Sequence, residues 1–248
     1  MALFSGFPSL DACIGGFQKS DLVVVAARPG EGRFSLVLAM AVHNALEDHV
    51  PVGFFSLEVS GGSLARKLPG MESISESEKI LTAGVFTDCL KVASRVHDAP
   101  LFISDEPNQE LAEIAELSRL LCSRHGVKII FIDYFDLISY EGVEPSGVDC
   151  TEVAAKTLKD LACELGIPIV VSALLKRSSR ATPPTIKHLG KASILERYAD
   201  VVILFDRNGQ PKETVKGAME EAARFLVVKN RNNQGTIVEI GFSEVRTR

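Results

Sequence analysis

Nothing in the chain pairs its few cysteines. Cys13, Cys89, Cys122, Cys150 and Cys163 are odd in number, scattered and without a CxxC spacing, which excludes neither a thiol nor a reducing compartment but speaks against a disulfide framework or a zinc site. A basic-then-apolar leader is also lacking, and every apolar run is too short to span a bilayer. A soluble, cytoplasmic protein without a membrane partner is therefore expected. Excess positive charge is missing too. A formal net charge of -5 and a pI near 5.6 argue against a protein that coats nucleic acid through bulk charge, so any such contact falls to a local basic loop. No internal repeat is visible.

What is present is the composition of a globular protein: 248 residues, 46% hydrophobic and 24% charged, enough for one large α/β domain over residues 1–248. Short apolar runs at Leu22 to Ala26, Val52 to Ser56, Leu101 to Ser104, Ile129 to Asp133, Ile169 to Ser172 and Val201 to Phe205 predict buried parallel strands. Between them, Leu111, Ile114, Leu117 and Leu121 recur at helical spacing, as do Val153, Leu158, Leu161 and Leu165, with Gly126 and Gly166 as their ends. This alternation predicts a doubly wound, mainly parallel sheet whose ligands gather beyond the carboxyl ends of the strands. Phe225 to Lys229 and Ile237 to Phe242, joined by the turn Asn232 to Gly235, predict an antiparallel hairpin at one edge. Ser139 to Cys150 and Arg177 to Lys187 read as exposed loops, and Gly61 to Asp98 as short helical pieces.

After the first strand comes Ala27-Arg28-Pro29-Gly30-Glu31-Gly32-Arg33-Phe34-Ser35, followed by an apolar helix. A phosphate-binding loop here needs small residues for backbone approach, a lysine for the phosphates and a hydroxyl for magnesium. Gly32 meets the first need. Arg33 supplies a cation of the wrong shape, and Phe34 offers no oxygen to a hard metal ion. Ser35 points about 100° further round an ideal helix. Glu31 either opposes phosphate or faces solvent. By itself the segment reads equally as a phosphate cradle or as a strand-to-helix turn that binds nothing. Glu58 and Asp133 stand at successive strand ends beside it, the placement of catalytic carboxylates, although one acidic residue alone there is commonly just solvated. Lys229 and Arg231 alternate onto one strand face, which also describes an ordinary charged sheet edge.

Together these segments resemble the motor domain of DnaB-type replicative DNA helicases along almost the whole chain. The resemblance is carried by Ser5-Gly6-Phe7-Pro8-Ser9-Leu10-Asp11 with Gly15-Gly16, by Asp21 to Pro29, and by Phe55-Ser56-Leu57-Glu58-Val59-Ser60. Ile130-Phe131-Ile132-Asp133-Tyr134, Ala199-Asp200-Val201-Val202 and Lys229-Asn230-Arg231-Asn232 carry it further. It implies a RecA-like P-loop NTPase fold with ATP and Mg2+ as cofactors. The nucleotide would lie on Arg28, Pro29, Gly30, Gly32, Arg33, Phe34 and Ser35. It further implies Glu58 as the residue that activates water, Asp133 as a magnesium ligand, and Lys229 and Arg231 as groups reaching the nucleotide of a neighbouring subunit in a homo-oligomer. Loops facing a central channel would bring Lys176, Arg177, Arg180 and Lys187 to single-stranded DNA, although a solvated rim of mixed charge explains the same residues. Replication proteins are the other implied partners.

The departures from the family pattern cluster around the γ-phosphate and its metal. Besides Arg33 and Phe34, Asp136 and Ala173 stand where glutamines are expected, and Gly190 and Lys191 where arginine and glutamate are. The turn after Arg231 lacks a Gly-Pro pair and is one residue short. The resemblance also leaves no room in 248 residues for the family's amino-terminal domain and linker helix. The reading that follows is a degenerate relative with weak or absent Mg-ATP hydrolysis, serving as a nucleotide-, DNA- or partner-binding module. An active ATP-driven DNA motor is the alternative. A small-molecule kinase ranks behind both, because no acceptor site is recognisable.

Overall fold

The computed structural model describes residues 2–64, 98–140, 149–177, 182–207, 212–213, 219–220, 222–231 and 236–241. A short helix α1 (Pro8–Ile14) precedes β1 (Leu22–Ala27), which leads through the glycine-containing loop into α2 (Arg33–Val42), extended by one π turn over His43–Glu47. There follow β2 (Val52–Ser56), β3 (Leu101–Ser104), α3 (Leu111–His125), β4 (Ile129–Asp133), α4 (Cys150–Leu165) and β5 (Ile169–Leu174). A 3-10 segment, Ile186–Ile194, runs into the single turn α5 (Leu195–Tyr198) and then β6 (Val201–Asp206). The chain continues with β7 (Lys212–Glu213), β8 (Met219–Glu220), β9 (Ala222–Asn230) and β10 (Thr236–Gly241).

Eight strands form one sheet in the order β10-β9-β6-β1-β5-β4-β2-β3. The first six strands of the chain run parallel, and β9 and β10 add antiparallel to β6. The six predicted parallel strands and the terminal hairpin are thus all present. The turn of that hairpin and Phe242 lie outside the described residues, as does most of Gly61 to Asp98. The two-stranded β7-β8 ribbon was not anticipated, since two residues per strand leave no readable alternation.

Both sheet faces are covered, which is why the strands read as continuous apolar runs. Leu22, Val24 and Ala26 of β1 pack with Ile114, Leu158 and Leu161 of α3 and α4, while Val23, Val25 and Ala27 pack with Leu10, Val37 and Met40 of α1 and α2. The helix α3 opens on a reciprocal cap between Glu110 and Glu113, and α4 on Asp149, whose carboxylate accepts from the Thr151 amide at 2.9 Å. The loop expected over Arg177 to Lys187 ends early: a reciprocal cap between Thr185 and His188 starts the 3-10 segment at Ile186, so Lys187 is helical. Among the described residues no helix is long and apolar enough to cross a membrane.

With β1 between β5 and β6, the loop leaving β1 opens into the central crevice at the carboxyl edge of the sheet, between strands that run to either side. The carboxyl ends of β2, β4 and β5 open on the same edge.

Candidate phosphate-loop site

Gly32 begins α2 at φ 89°, a left-handed conformation that costs a side chain-bearing residue roughly 1 kcal/mol or more. A Cβ there would meet nothing within 4 Å, so conformation and not crowding selects glycine. Pro29 and Gly30 are exposed, but the charged residues of the loop turn inward. Arg28 donates to Asp206 at the end of β6 (2.9 Å), lies 3.4 Å from Glu31, and donates to the Thr182 carbonyl at 2.7 Å. Asp206 also accepts from Arg224 on β9 at 2.7 and 3.0 Å. Glu31 therefore faces neither solvent nor the crevice. It is buried against Arg28, and its second oxygen has no hydrogen-bond partner.

Arg33 occupies the centre of the crevice. From the first turn of α2 its guanidinium donates to Asp133 and to Ser172, and at 2.7 Å to Glu58. Its plane lies over the Tyr134 ring, 4.2 Å from the centroid. Ser172 in turn donates to Asp133 at 2.5 Å. Arg33 is 6% exposed and Asp133 fully buried, whereas the Glu58 side chain is about half exposed at 48%. Burial pushes the Asp133 carboxyl above the usual carboxylate range; the Arg33 charge and the Ser172 hydrogen bond pull in the opposite direction.

Phe34 takes the opposite course. It is buried in the face of the core beneath α2, edge-on to Phe54 of β2 at 6.5 Å, and Phe54 stacks on Phe131 of β4 at 6.3 Å. Ser35 is exposed, as its helical phase predicts. Ala173 is buried opposite Ala26 of β1, so β5 presents no amide to the crevice; Asp136 is exposed.

These residues do not fit a magnesium ion. The hydroxyl position is an aromatic core residue, the space between the carboxylates holds a guanidinium, and among the described residues no three His, Cys, Asp or Glu side chains gather as metal ligands. The backbone loop is in place, with open space at Gly30 and Gly32.

Lys229 and Arg231 are engaged within their own chain. Lys229 donates to the Glu196 carbonyl and Arg231 to Asp200, each at 2.7 Å. Asp200 is nearly buried and also holds Lys159 at 2.5 Å and the Leu22 amide at 2.9 Å. Arg231 lies just past β9 rather than on it. Lys176, Arg177 and Lys187 are exposed beyond the carboxyl end of β5; Arg180 lies outside the described residues. Gly190 explains its own departure from the pattern. It sits at φ 63°, ψ -123°, and a Cβ would come within 3.0 Å of the Lys176 side chain, so no arginine fits there without displacing Lys176.

Sequence reasoning brought Arg33, Glu58 and Asp133 to one edge but missed Ser172, Tyr134 and the Arg28-Asp206-Arg224 network. Ser172 carried a signal: it is the one hydroxyl inside the aliphatic run Ile169 to Leu174, and a buried hydroxyl needs a partner. Arg28 and Asp206 are 178 positions apart, and nothing local links them.

A glycine-bearing turn from β1 into α2, with acidic residues at neighbouring strand ends, defines a phosphate-loop domain of the RecA-like class. The family model of the DnaB-like helicase C terminal domain matches residues 2–248, and the chain belongs to that family. It is 31% identical over 252 residues to the replicative DNA helicase DnaB of Treponema pallidum (strain Nichols), covering 100% of this chain and 56% of that protein. It is 32% identical to the DnaB of Leifsonia xyli subsp. xyli (strain CTCB07), covering 98% and 54%. The chain thus spans about half the length of these relatives. Among solved structures, an isolated ATPase domain superposes with a TM-score of 0.82 at 20% identity over 98% of this chain and 88% of that one. A DnaB-like replicative helicase, described with its interactions with primase, gives 0.81 at 20% identity over 98% and 62%. These two likenesses establish the fold.

Proposed function

We propose that this chain is a degenerate DnaB-type motor domain, a pseudo-ATPase that serves DNA replication or repair in the cytoplasm as a nucleotide-, DNA- or partner-binding module with little or no Mg-ATP hydrolysis. One observation carries the reading: the Arg33 guanidinium is bonded to both acidic residues that hydrolysis requires, Glu58 and Asp133. A carboxylate that already accepts hydrogen bonds from a buried cation is poorly placed to activate water or hold a metal. The loss of the lysine, the hydroxyl and the sensor amide supports it, because positioning and charge stabilisation are nearly all that a protein contributes to phosphoryl transfer. Glu58, Asp133, Lys229 and Arg231 are then remnants of a catalytic set. Single-stranded DNA would meet Lys176, Arg177, Arg180 and Lys187, and homo-oligomer contacts would use Lys229 and Arg231 after release from Glu196 and Asp200.

The test is a nucleotide titration with and without Mg2+, followed by a turnover assay with single-stranded DNA on the same sample. Binding that is weak or indifferent to Mg2+, with turnover at background, is expected. Tight metal-dependent binding with DNA-stimulated hydrolysis would overturn the reading and establish an active motor.

A further inference from the structure

Three strand ends deliver oxygen donors to one point. Glu58 follows β2, Asp133 ends β4, and Ser172 lies near the end of β5. All three converge on one positive charge, the Arg33 guanidinium, which is 94% buried by its 6% exposure and backed by the Tyr134 ring. Carboxylate and hydroxyl oxygens from separate elements, held together by a central cation, are the arrangement of a hard-metal centre. Here the cation is covalently tethered to α2.

We infer that Arg33 takes the place of a divalent cation, clamping the ends of β2, β4 and β5 without metal, and that a latent metal site of Glu58, Asp133 and Ser172 lies beneath it. The donor set has spare capacity: the second oxygen of Asp133 is buried without a hydrogen-bond partner, and Glu58 is half exposed, so water can complete a coordination shell. Without the guanidinium, two carboxylates would be left facing each other with no counter-charge, an arrangement that favours capture of a cation. Phe34 stays in the core and plays no part. The inference deepens the pseudo-ATPase reading by explaining what holds the strand ends together in its place, yet its test involves neither nucleotide nor turnover.

Thermal unfolding of the full chain is followed in EDTA and in millimolar Mg2+ or Mn2+. The wild-type midpoint should not move between these conditions. Arg33→Ala should melt lower in EDTA and recover by about 5–10 °C at a metal concentration roughly 100 times its Kd. Adding Asp133→Asn to Arg33→Ala should abolish the recovery, a result that a merely structural role for Arg33 would not produce. Should Arg33→Ala fail to fold, Arg33→Gln, which keeps the stem and a donor, carries the same comparison, with Mn2+ binding read directly by electron paramagnetic resonance. A wild-type protein stabilised by Mg2+ as strongly as the variants, or variants that bind Mn2+ no better than wild type, would overturn the inference. Turnover in the wild type would sink the pseudo-ATPase reading instead, so the two failures are distinguishable.

Discussion

The Tyr140 hydroxyl is buried without a hydrogen-bond partner among the described residues, while its ring packs on the core beside α4. Burial, with the Asp136, Cys150 and Asp149 charges adding to it, pushes its pKa up to about 12. The unfolded chain would ionise this group near pH 10, its ordinary value, and the folded chain only near 12. Between those values the folded state binds more protons, so stability falls as pH rises through the window. Tyr140→Phe should remove that part of the alkaline slope. At neutral pH it should leave stability unchanged or raise it by on the order of 1 kcal/mol, since no hydrogen bond is lost. Urea denaturation of both proteins at pH 7 and across pH 10 to 12 checks this; equal alkaline slopes would show that the hydroxyl is hydrated.

At the scale of elements, α2 is held to the sheet by what replaced its catalytic chemistry. Phe34 fills the space over Phe54, and Phe54 stacks on Phe131, giving an aromatic column from helix to β4. Restoring a hydroxyl with Phe34→Thr therefore opens a cavity and should cost on the order of 3 kcal/mol in urea denaturation. Combining it with Arg33→Lys should not recover that loss. A double variant as stable as wild type would mean that the core repacks around threonine. Much of this architecture is legible in the sequence, because each buried strand is an uninterrupted apolar run and each crossover helix carries its own stripe. Local readings end where function begins. That Phe34 supplies no hydroxyl follows from its identity alone, but that Arg33 swings onto Asp133, 100 positions away, and that Glu31 folds back on Arg28 depend on which strand lies beside which. The sheet order decides that, and it is written across the whole chain.

Across the whole molecule, charge limits what the remaining surface can hold. With a net charge of -5, long-range attraction to nucleic acid is absent, and contact rests on the segment after β5. Lys176, Arg177 and Lys187 are exposed there, and with Arg180 they allow three or four phosphate contacts. The logarithm of single-strand affinity should then fall against the logarithm of salt with a slope between about -2 and -3, and Lys187→Ala should make it shallower by about 0.7. This segment is not an independent appendage. The Thr182 carbonyl accepts from Arg28 of the loop after β1, and the Lys176 amide donates to His188 at the start of the 3-10 segment. The strand end that meets DNA is thus tied to the phosphate loop through Arg28, Asp206 and Arg224, with Arg33 closing the crevice alongside. In such a framework DNA affinity should be the same with and without Mg-ATP, because no metal or nucleotide is needed to order the loop. Fluorescence anisotropy with a labelled oligonucleotide across a salt series decides the matter. A slope near zero would place the docking surface elsewhere, and an affinity that Mg-ATP raises severalfold would show that the loop still communicates nucleotide state to the strand end.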